Sequence, residues 1–244
     1  MKTQIEMKRR NIIKICLIVI SGILLIFGNS CKKDEEDKSI VKDFDGNVYH
    51  TVIIGTQTWM VENLRTTKYN DGTIISNVTG TNEWLSLSTP AYCWYNNDEI
   101  TYKETYGALY NWYTIKTGKL CPSGWHVPTD AEWKILIDYL GGENMAGIKL
   151  KEIGRMHWNK PTPIHWSSTD TLVDNSSGFT ALPGGCRDNH NGIFEFIGNN
   201  GYWWSSSDWV DLGALGRTMS YDYSIASSYP FSKKFGFSVR CVND

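Results

Sequence analysis

The sequence predicts an α+β fold of two short helices, a twisted antiparallel sheet and long irregular loops, on three observations. Thr129-Asp130-Ala131-Glu132 is a capping box, followed by Trp133, Leu136, Ile137 and Leu140 at the i, i+3, i+4, i+7 spacing of one helical face. Residues 48–54 are rich in β-branched side chains and follow the turn Asp45-Gly46-Asn47. From residue 178 to 242, short strand patterns recur between Asn, Gly and Asp turns.

In chain order, the N-terminus comes first. A basic stretch, Lys8-Arg9-Arg10, precedes an apolar run from Ile15 to Phe27, then Gly28-Asn29-Ser30 and Cys31. That is the layout of a signal peptide. A membrane-spanning helix needs about 20 apolar residues, and this run has 13. Gly28-Asn29-Ser30-Cys31 resembles a lipobox, and Lys32-Lys33-Asp34-Glu35-Glu36-Asp37 is similar to the export signal of lipoproteins of the Bacteroides type. These resemblances imply removal of residues 1–30, acylation (palmitate) of Cys31, and anchoring at the outer face of the outer membrane. Residues 31–42 are expected to form a charged, solvated tether and residues 43–243 a single domain.

Residues 1–30 hold five of the 24 Lys/Arg and one of the 26 Asp/Glu, so the remainder carries a formal charge of −6. A nucleic-acid partner calls for a basic face, which this balance disfavours. All eleven tryptophans lie after residue 30, among many Tyr, Gly, Asn and Ser. Most are expected in the core, where each ring buries a large area. Cys93, Cys121, Cys186 and Cys241 remain once Cys16 and Cys31 are set aside. Four cysteines outside the cytoplasm suggest two disulfides, in any of three pairings. No C-x-x-C pair occurs and no His stands at ligand spacing, so no metal or cofactor is expected.

Further elements follow from local pattern. Asp43, Asp45 and Asn47 read as a turn and not as a calcium loop, because the glycine is misplaced and Ile54 stands where a Glu ligand belongs. A second turn is expected at Tyr69-Asn70-Asp71-Gly72. Tyr106, Leu109, Tyr110 and Tyr113 predict a short helix over 106–115, and Gly141-Gly142 stops the helix begun at Thr129. His126 has no nucleophile beside it in sequence and reads as a helix-entry residue. Strands are expected near 178–182, 192–197, 202–206, 217–223 and 235–242.

Six ordered blocks carry a family resemblance. They are Asp45-Gly46-Asn47-Val48-Tyr49 with 55–64, Tyr106-Gly107-Ala108-Leu109-Tyr110-Asn111-Trp112, Leu120-Cys121-Pro122-Ser123-Gly124-Trp125-His126-Val127-Pro128-Thr129 with Glu132-Trp133, Gly178-Phe179 with Leu182-Pro183-Gly184-Gly185, Trp203-Trp204-Ser205-Ser206-Ser207, and Gly236-Phe237-Ser238-Val239-Arg240-Cys241. Together they resemble the Fibrobacter succinogenes major paralogous domain across residues 43–243. That resemblance implies a fold like the C-type lectins and the formylglycine-generating domain, and brings no catalytic residues with it. If the terminal strand then lies beside the entry of the second helix, Cys121 pairs with Cys241.

The expected function is a surface binding module for a glycan or a protein. Its ligand candidates are Trp158, Trp166, Arg187, Asp188, Asn189 and His190, on loops at 155–177 and 186–204. No Glu-Pro-Asn or Gln-Pro-Asp triplet is present to support a calcium-dependent sugar site. The alternatives are a structural surface protein and, with less support, a formylglycine-generating-like enzyme. Glu132, Asp170, Asp174 and Glu195 are not placed as a catalytic carboxylate pair by sequence.

Overall fold

A computed structural model describes residues 39–154, 156–159, 173–210 and 213–244. Cys31 and Trp166 lie outside them. The fold is α+β, with two five-stranded sheets in place of the one expected.

Strand β1 (Ile40–Lys42), inside the stretch read as tether, pairs antiparallel with β2 (Val48–Ile54). Gly55, at φ 62°, turns β2 into β3 (Gln57–Met60), a hairpin with Ile54 opposite Gln57. The near-terminal β12 (Val242–Asn243) inserts between β3 and β6 (Trp125–His126), so the two ends of the domain meet in one sheet, ordered β1-β2-β3-β12-β6. The Asp43 turn closes on itself as expected. Asp43 accepts from the Asn47 backbone and side-chain nitrogens and from the Tyr49 hydroxyl, at 2.6–2.9 Å. Asp45 accepts from Thr66 and Thr67 and pairs with Lys68.

The middle of the chain contains α1 (Thr81–Ser86), β4 (Tyr92–Cys93), a 3-10 turn (Tyr95–Asn97), α2 (Glu99–Tyr106), β5 (Leu109–Tyr110) and α3 (Trp112–Ile115). The helix expected over 106–115 is therefore three pieces. At Gly107, with φ 75°, a Cβ would run into the backbone of Leu64 and the side chain of Asn63, so the chain leaves α-geometry there. Tyr110 instead exchanges backbone hydrogen bonds with Phe237 at 2.8 and 3.1 Å, and Asn111 caps a new turn by accepting from Thr114 N–H. The tertiary partner wins over the local 3.6-residue pattern because a buried strand backbone must be paired.

Helix α4 (Asp130–Tyr139) carries the predicted capping box, both halves formed. After Gly141-Gly142 a further helix, α5 (Glu143–Leu150), follows, in addition to the two helices the sequence predicts. The second sheet contains β7 (Gly184–Arg187), β8 (Phe194–Ile197), β9 (Asn200–Trp209), β10 (Gly213–Ser220) and β11 (Ala226–Ser232), ordered β11-β10-β9-β7-β8. Neighbours run antiparallel except β7 and β9. Two expected strands are not continuous. Residues 178–182 make a single bridge, Lys151 to Ala181, and Gly236, Phe237 and Ser238 bridge in turn to Arg187, Tyr110 and Trp203. That threading segment ties the second sheet to β5.

Aromatic residues form the core, as the composition suggests. Trp94, Trp112 and Trp204 pack with Phe237 in one cluster, while Trp59, Trp133, Trp158 and Trp203 pack with Phe179 in another. Each fully buried ring of this kind contributes roughly 1.5–3 kcal/mol. Some of their polar edges are satisfied, Trp204 Nε1 donating to Tyr110 O and Trp112 Nε1 to Ser205 O, while the buried Nε1 atoms of Trp94 and Trp133 have no hydrogen-bond partner among the described residues.

Cys121 and Cys241 form a disulfide, with Cα atoms 6.1 Å apart, fastening the segment that leads into β6 to the residue before β12. Cys93 and Cys186 are free thiols, which corrects the expectation of two bridges. They belong to different packing clusters, Cys93 with Trp84 and Tyr95, Cys186 with Trp204 and Phe237.

Candidate functional site

The sequence candidates divide sharply by burial. Trp158 is buried and donates from Nε1 to Ala181 O at 3.0 Å, so it is a core ring and not a stacking platform. Arg187 is fully buried. Its guanidinium donates to the carbonyls of Val78, Thr79 and Gly192 and lies between the rings of Trp84 (4.6 Å) and Phe194 (4.9 Å). Every direction in which it could grip a ligand is occupied by its own fold. Asp188 turns its carboxylate onto the backbone nitrogens of His190 and Asn191, closing the β7–β8 connection. Asn189 is half-buried beside it, and exposed His190 meets the ring of Phe235 edge-on at 6.5 Å. The candidates on this connection thus support a turn.

Next to that turn runs a feature not read from the sequence. Phe194, Tyr95, Tyr102, Tyr106 and His157 form a row with successive ring centroids 5.4, 5.1, 6.2 and 5.7 Å apart. Tyr95 is buried beneath the others, and the remaining four rings are half-buried. Four parts of the chain supply the row, with Tyr95 opening the 3-10 turn. Tyr102 and Tyr106 stand four apart on α2, one face of the helix. Phe194 opens β8, and His157 comes from the segment after α5. Gly185 makes the approach possible: at φ 63° it has no Cβ, and one would meet the Tyr95 ring at 2.9 Å and Ile197 N at 2.7 Å.

Polar groups cluster at the His157 end. His157 Nδ1 is 2.9 Å from both oxygens of Glu152, an ion pair when the ring is protonated. Asn159 Nδ2 donates to Asn199 Oδ1 at 2.7 Å, and the Asn159 amide lies against Gly198. Burial raises the Tyr106 hydroxyl above its ordinary pKa, with the Glu152 charge adding to the effect. The row therefore combines half-buried rings, tilted 43–83° to one another, with a carboxylate and a pair of amides, a chemistry suited to orienting a polar ligand beside an apolar surface.

Glu132 has a separate role. It completes the α4 cap and accepts from His126 Nε2 at 2.8 Å, while His126 Nδ1 meets Asp244 at 2.6 Å. With both ring nitrogens engaged by carboxylates, His126 is a fastener at the entry of α4. The free thiols are equally occupied: burial pushes Cys93 up to about 12, against the opposing effect of Arg187, and pushes Cys186 up to about 12.

A signal for the row was present. Asp98 caps α2 through Thr101 N–H, and Glu99 and Lys103 pair at i, i+4. Reading that Asp98-x-x-Thr101 cap places Tyr102 and Tyr106 on one helix; reading a helix from Tyr106 onward hides them.

The family model of the Fibrobacter succinogenes major domain matches residues 52–243. The chain belongs to that family. No curated protein and no solved structure matches it. The match covers both sheets except β1 and part of β2, and it includes every residue of the aromatic row. Two of the blocks that mark this Fibrobacter succinogenes major domain acquire physical roles here. Leu182-Pro183-Gly184-Gly185 brings β7 under the row, and Gly236-Phe237-Ser238-Val239-Arg240-Cys241 threads between the sheets and ends in the disulfide.

Proposed function

We propose that this chain is a lipid-anchored recognition module of the outer cell surface, and that it binds its ligand on the row Phe194, Tyr102, Tyr106 and His157. The lectin-like resemblance of the sequence and its lipobox and charged tether supply the setting. The single observation that carries the reading is the row itself: half-buried rings gathered from helix, strand and loop, ended by Glu152 and the Asn159–Asn199 amides. Aromatic side chains, with few rotatable bonds, are ordered on binding at low entropic cost.

A binding role is favoured over catalysis by what the reactive groups already do. His126 is held at both nitrogens, and the two free thiols are buried and kept protonated well above neutral pH. A thiol in that state is a poor nucleophile and a poor metal ligand. The test is an array of surface glycans and extracellular proteins probed with the full chain, with and without calcium, beside the Tyr102→Ala variant. Binding lost in the variant supports the proposal; the absence of any ligand whose binding depends on the row overturns it.

A further inference from the structure

We propose that a tip formed by Phe44 and Ile74 docks on the lipid surface that carries the anchor, holding the domain on the membrane in one orientation. The proposal rests on the reading of Cys31 as the acylated residue and adds where the domain touches the bilayer.

Two turns, tied to each other, build the tip. In the first, the backbones of Asp43 and Asn47 are joined and Phe44 stands between them, 56% exposed. In the second, the chain reverses between Lys68 and Ile74, which bridge antiparallel, and Gly72 N–H donates to Tyr69 O. Asp45 links the two turns: it accepts from Thr66 Oγ1 and from Thr67 N and Oγ1 at 2.6–3.2 Å, and pairs with Lys68 at 3.1 Å. The Phe44 ring lies against the second turn, where a Cβ on Gly72 would stand 2.6 Å from its Cζ. Residues directly opposite in an antiparallel bridge point to one face. Ile74 therefore shares the side of Lys68, whose ammonium is 5.8 Å from the centre of the Phe44 ring. Ile74 is 74% exposed. Two large apolar side chains are thus held outward by a backbone pinned at both turns.

Chemistry and reach name the occupant. Ring and aliphatic side chain flanked by lysines suit the bilayer interface, where apolar groups enter the acyl boundary and lysine stems lie along them with the charge in water. At the rim, Lys68 is matched by Asp45 and Lys119 by Asp71, at 3.1 and 2.9 Å, so the tip meets the headgroups with little net charge. Nine residue steps separate Cys31 from Ile40, where β1 begins. An extended chain covers about 3.3–3.6 Å per residue, so the tether reaches roughly 30 Å, while Phe44 lies at most about 14 Å from Ile40. The tether thus brings the tip to the bilayer from either end of β1. A surface kept within that reach is at high effective concentration, so burial of two side chains is enough to favour one orientation.

The experiment places the full acylated chain in phosphatidylcholine vesicles with a nitroxide on Thr73→Cys, an exposed position that leaves Phe44 and Ile74 intact. Cys93 and Cys186 are buried and do not take the label. Collision with a water-soluble nickel chelate is compared with that of a label on Tyr229→Cys, in β11 of the second sheet. The Thr73 label should be shielded from nickel and the Tyr229 label open to it. In Phe44→Ser with Ile74→Ser the undocked fraction should rise by about tenfold or more, since both side chains still have much of their area to bury. Melting temperatures confirm folding, and Ile74→Ser alone, at a largely exposed position, keeps the comparison decisive if the double variant does not fold. An acylated chain whose Thr73 label is as open to nickel as the Tyr229 label, or whose shielding survives the serine changes, overturns the proposal alone. Shielding found in native membranes but not on protein-free vesicles means that a protein covers the tip, and likewise overturns it. A chain that mass spectrometry shows without acylation at Cys31 overturns the anchor and the proposal together.

Discussion

Asn63 and Arg240, 177 residues apart in sequence, meet in the interior, where Arg240 Nη2 donates to Asn63 Oδ1 at 2.9 Å. The same oxygen accepts from Trp203 Nε1, and Asn63 Nδ2 donates to Tyr106 O. One amide therefore joins the first sheet's trailing segment, the threading segment, β9 and the end of α2. Arg240 has no carboxylate against it. It stacks over Phe179 at 4.1 Å, donates to Phe179 O, and leaves Nε without a partner, while burial pulls its pKa down to about 9. A buried cation held by one amide, the carbonyls of Phe179 and Thr180 and a ring tolerates little loss.

Removing that amide should be costly. Asn63→Ala leaves Trp203 Nε1 and Tyr106 O without their side-chain partner and Arg240 Nη2 with only the long bond to Thr180 O, and should lower unfolding free energy by about 3 kcal/mol or more. Urea denaturation measures this. A loss below about 1 kcal/mol, with two-state behaviour retained, would refute the assigned role.

The disulfide should be separable from the free thiols. Cys121→Ser with Cys241→Ser removes a link between positions 120 residues apart and should cost about 2–5 kcal/mol. Cys93 and Cys186 should resist alkylation in the native chain and react once it unfolds, because both are buried. Peptide mapping without reduction checks the pairing; a Cys93–Cys186 bridge in that map contradicts the structure.

Arg187 should behave as a core residue. Arg187→Ala exposes the carbonyls of Val78, Thr79 and Gly192 to an unfilled space between Trp84 and Phe194, and a fall of about 3 kcal/mol or more in stability is expected. Thermal melts of the variant read it directly. Near wild-type stability combined with lost ligand binding would restore Arg187 to the surface role its sequence position suggested.

The clasp at the entry of α4 should depend on pH. Burial works against the His126 charge, but hydrogen bonds to Asp244 and Glu132 outweigh it and raise its pKa above 6.5. The stability from this group is thus complete below the unfolded value and disappears as pH rises through the raised one. For Glu132, burial opposes the charge, but the Thr129 and His126 bonds outweigh it and lower the pKa below 4.5. Its contribution is present above that unfolded value and is lost as pH falls through the lowered one. Comparing wild type with His126→Asn across this range by chemical denaturation should give the largest difference on the acid side of neutrality, above the Glu132 transition, and a shrinking one above it. A difference that grows with rising pH would rule out the clasp.

The α+β class, the α4 capping box, strand β2, the Asp43 turn and the aromatic character of the core were all legible in the sequence. Each depends on residues within a few positions of one another, or on composition, and local hydrogen bonding and side-chain periodicity act at that range. The family was legible for a different reason, since six blocks in a fixed order identify it without any account of what each block packs against.

The binding surface was not. Trp158 and Arg187 look like surface recognition residues in a polar loop, and burial turns both into core. Tyr102 and Tyr106 look like ordinary helix residues, and become part of a row only when β8 and His157 are brought beside them over a Gly185 that leaves room for Tyr95. The pieces of the 106–115 segment were decided by Phe237, more than a hundred residues away. Sequence alone determined where the chain could turn, cap and bury apolar area. Which rings kept a face toward solvent was decided only by the tertiary structure, because exposure is a property of what packs against a residue, and those partners lie far along the chain.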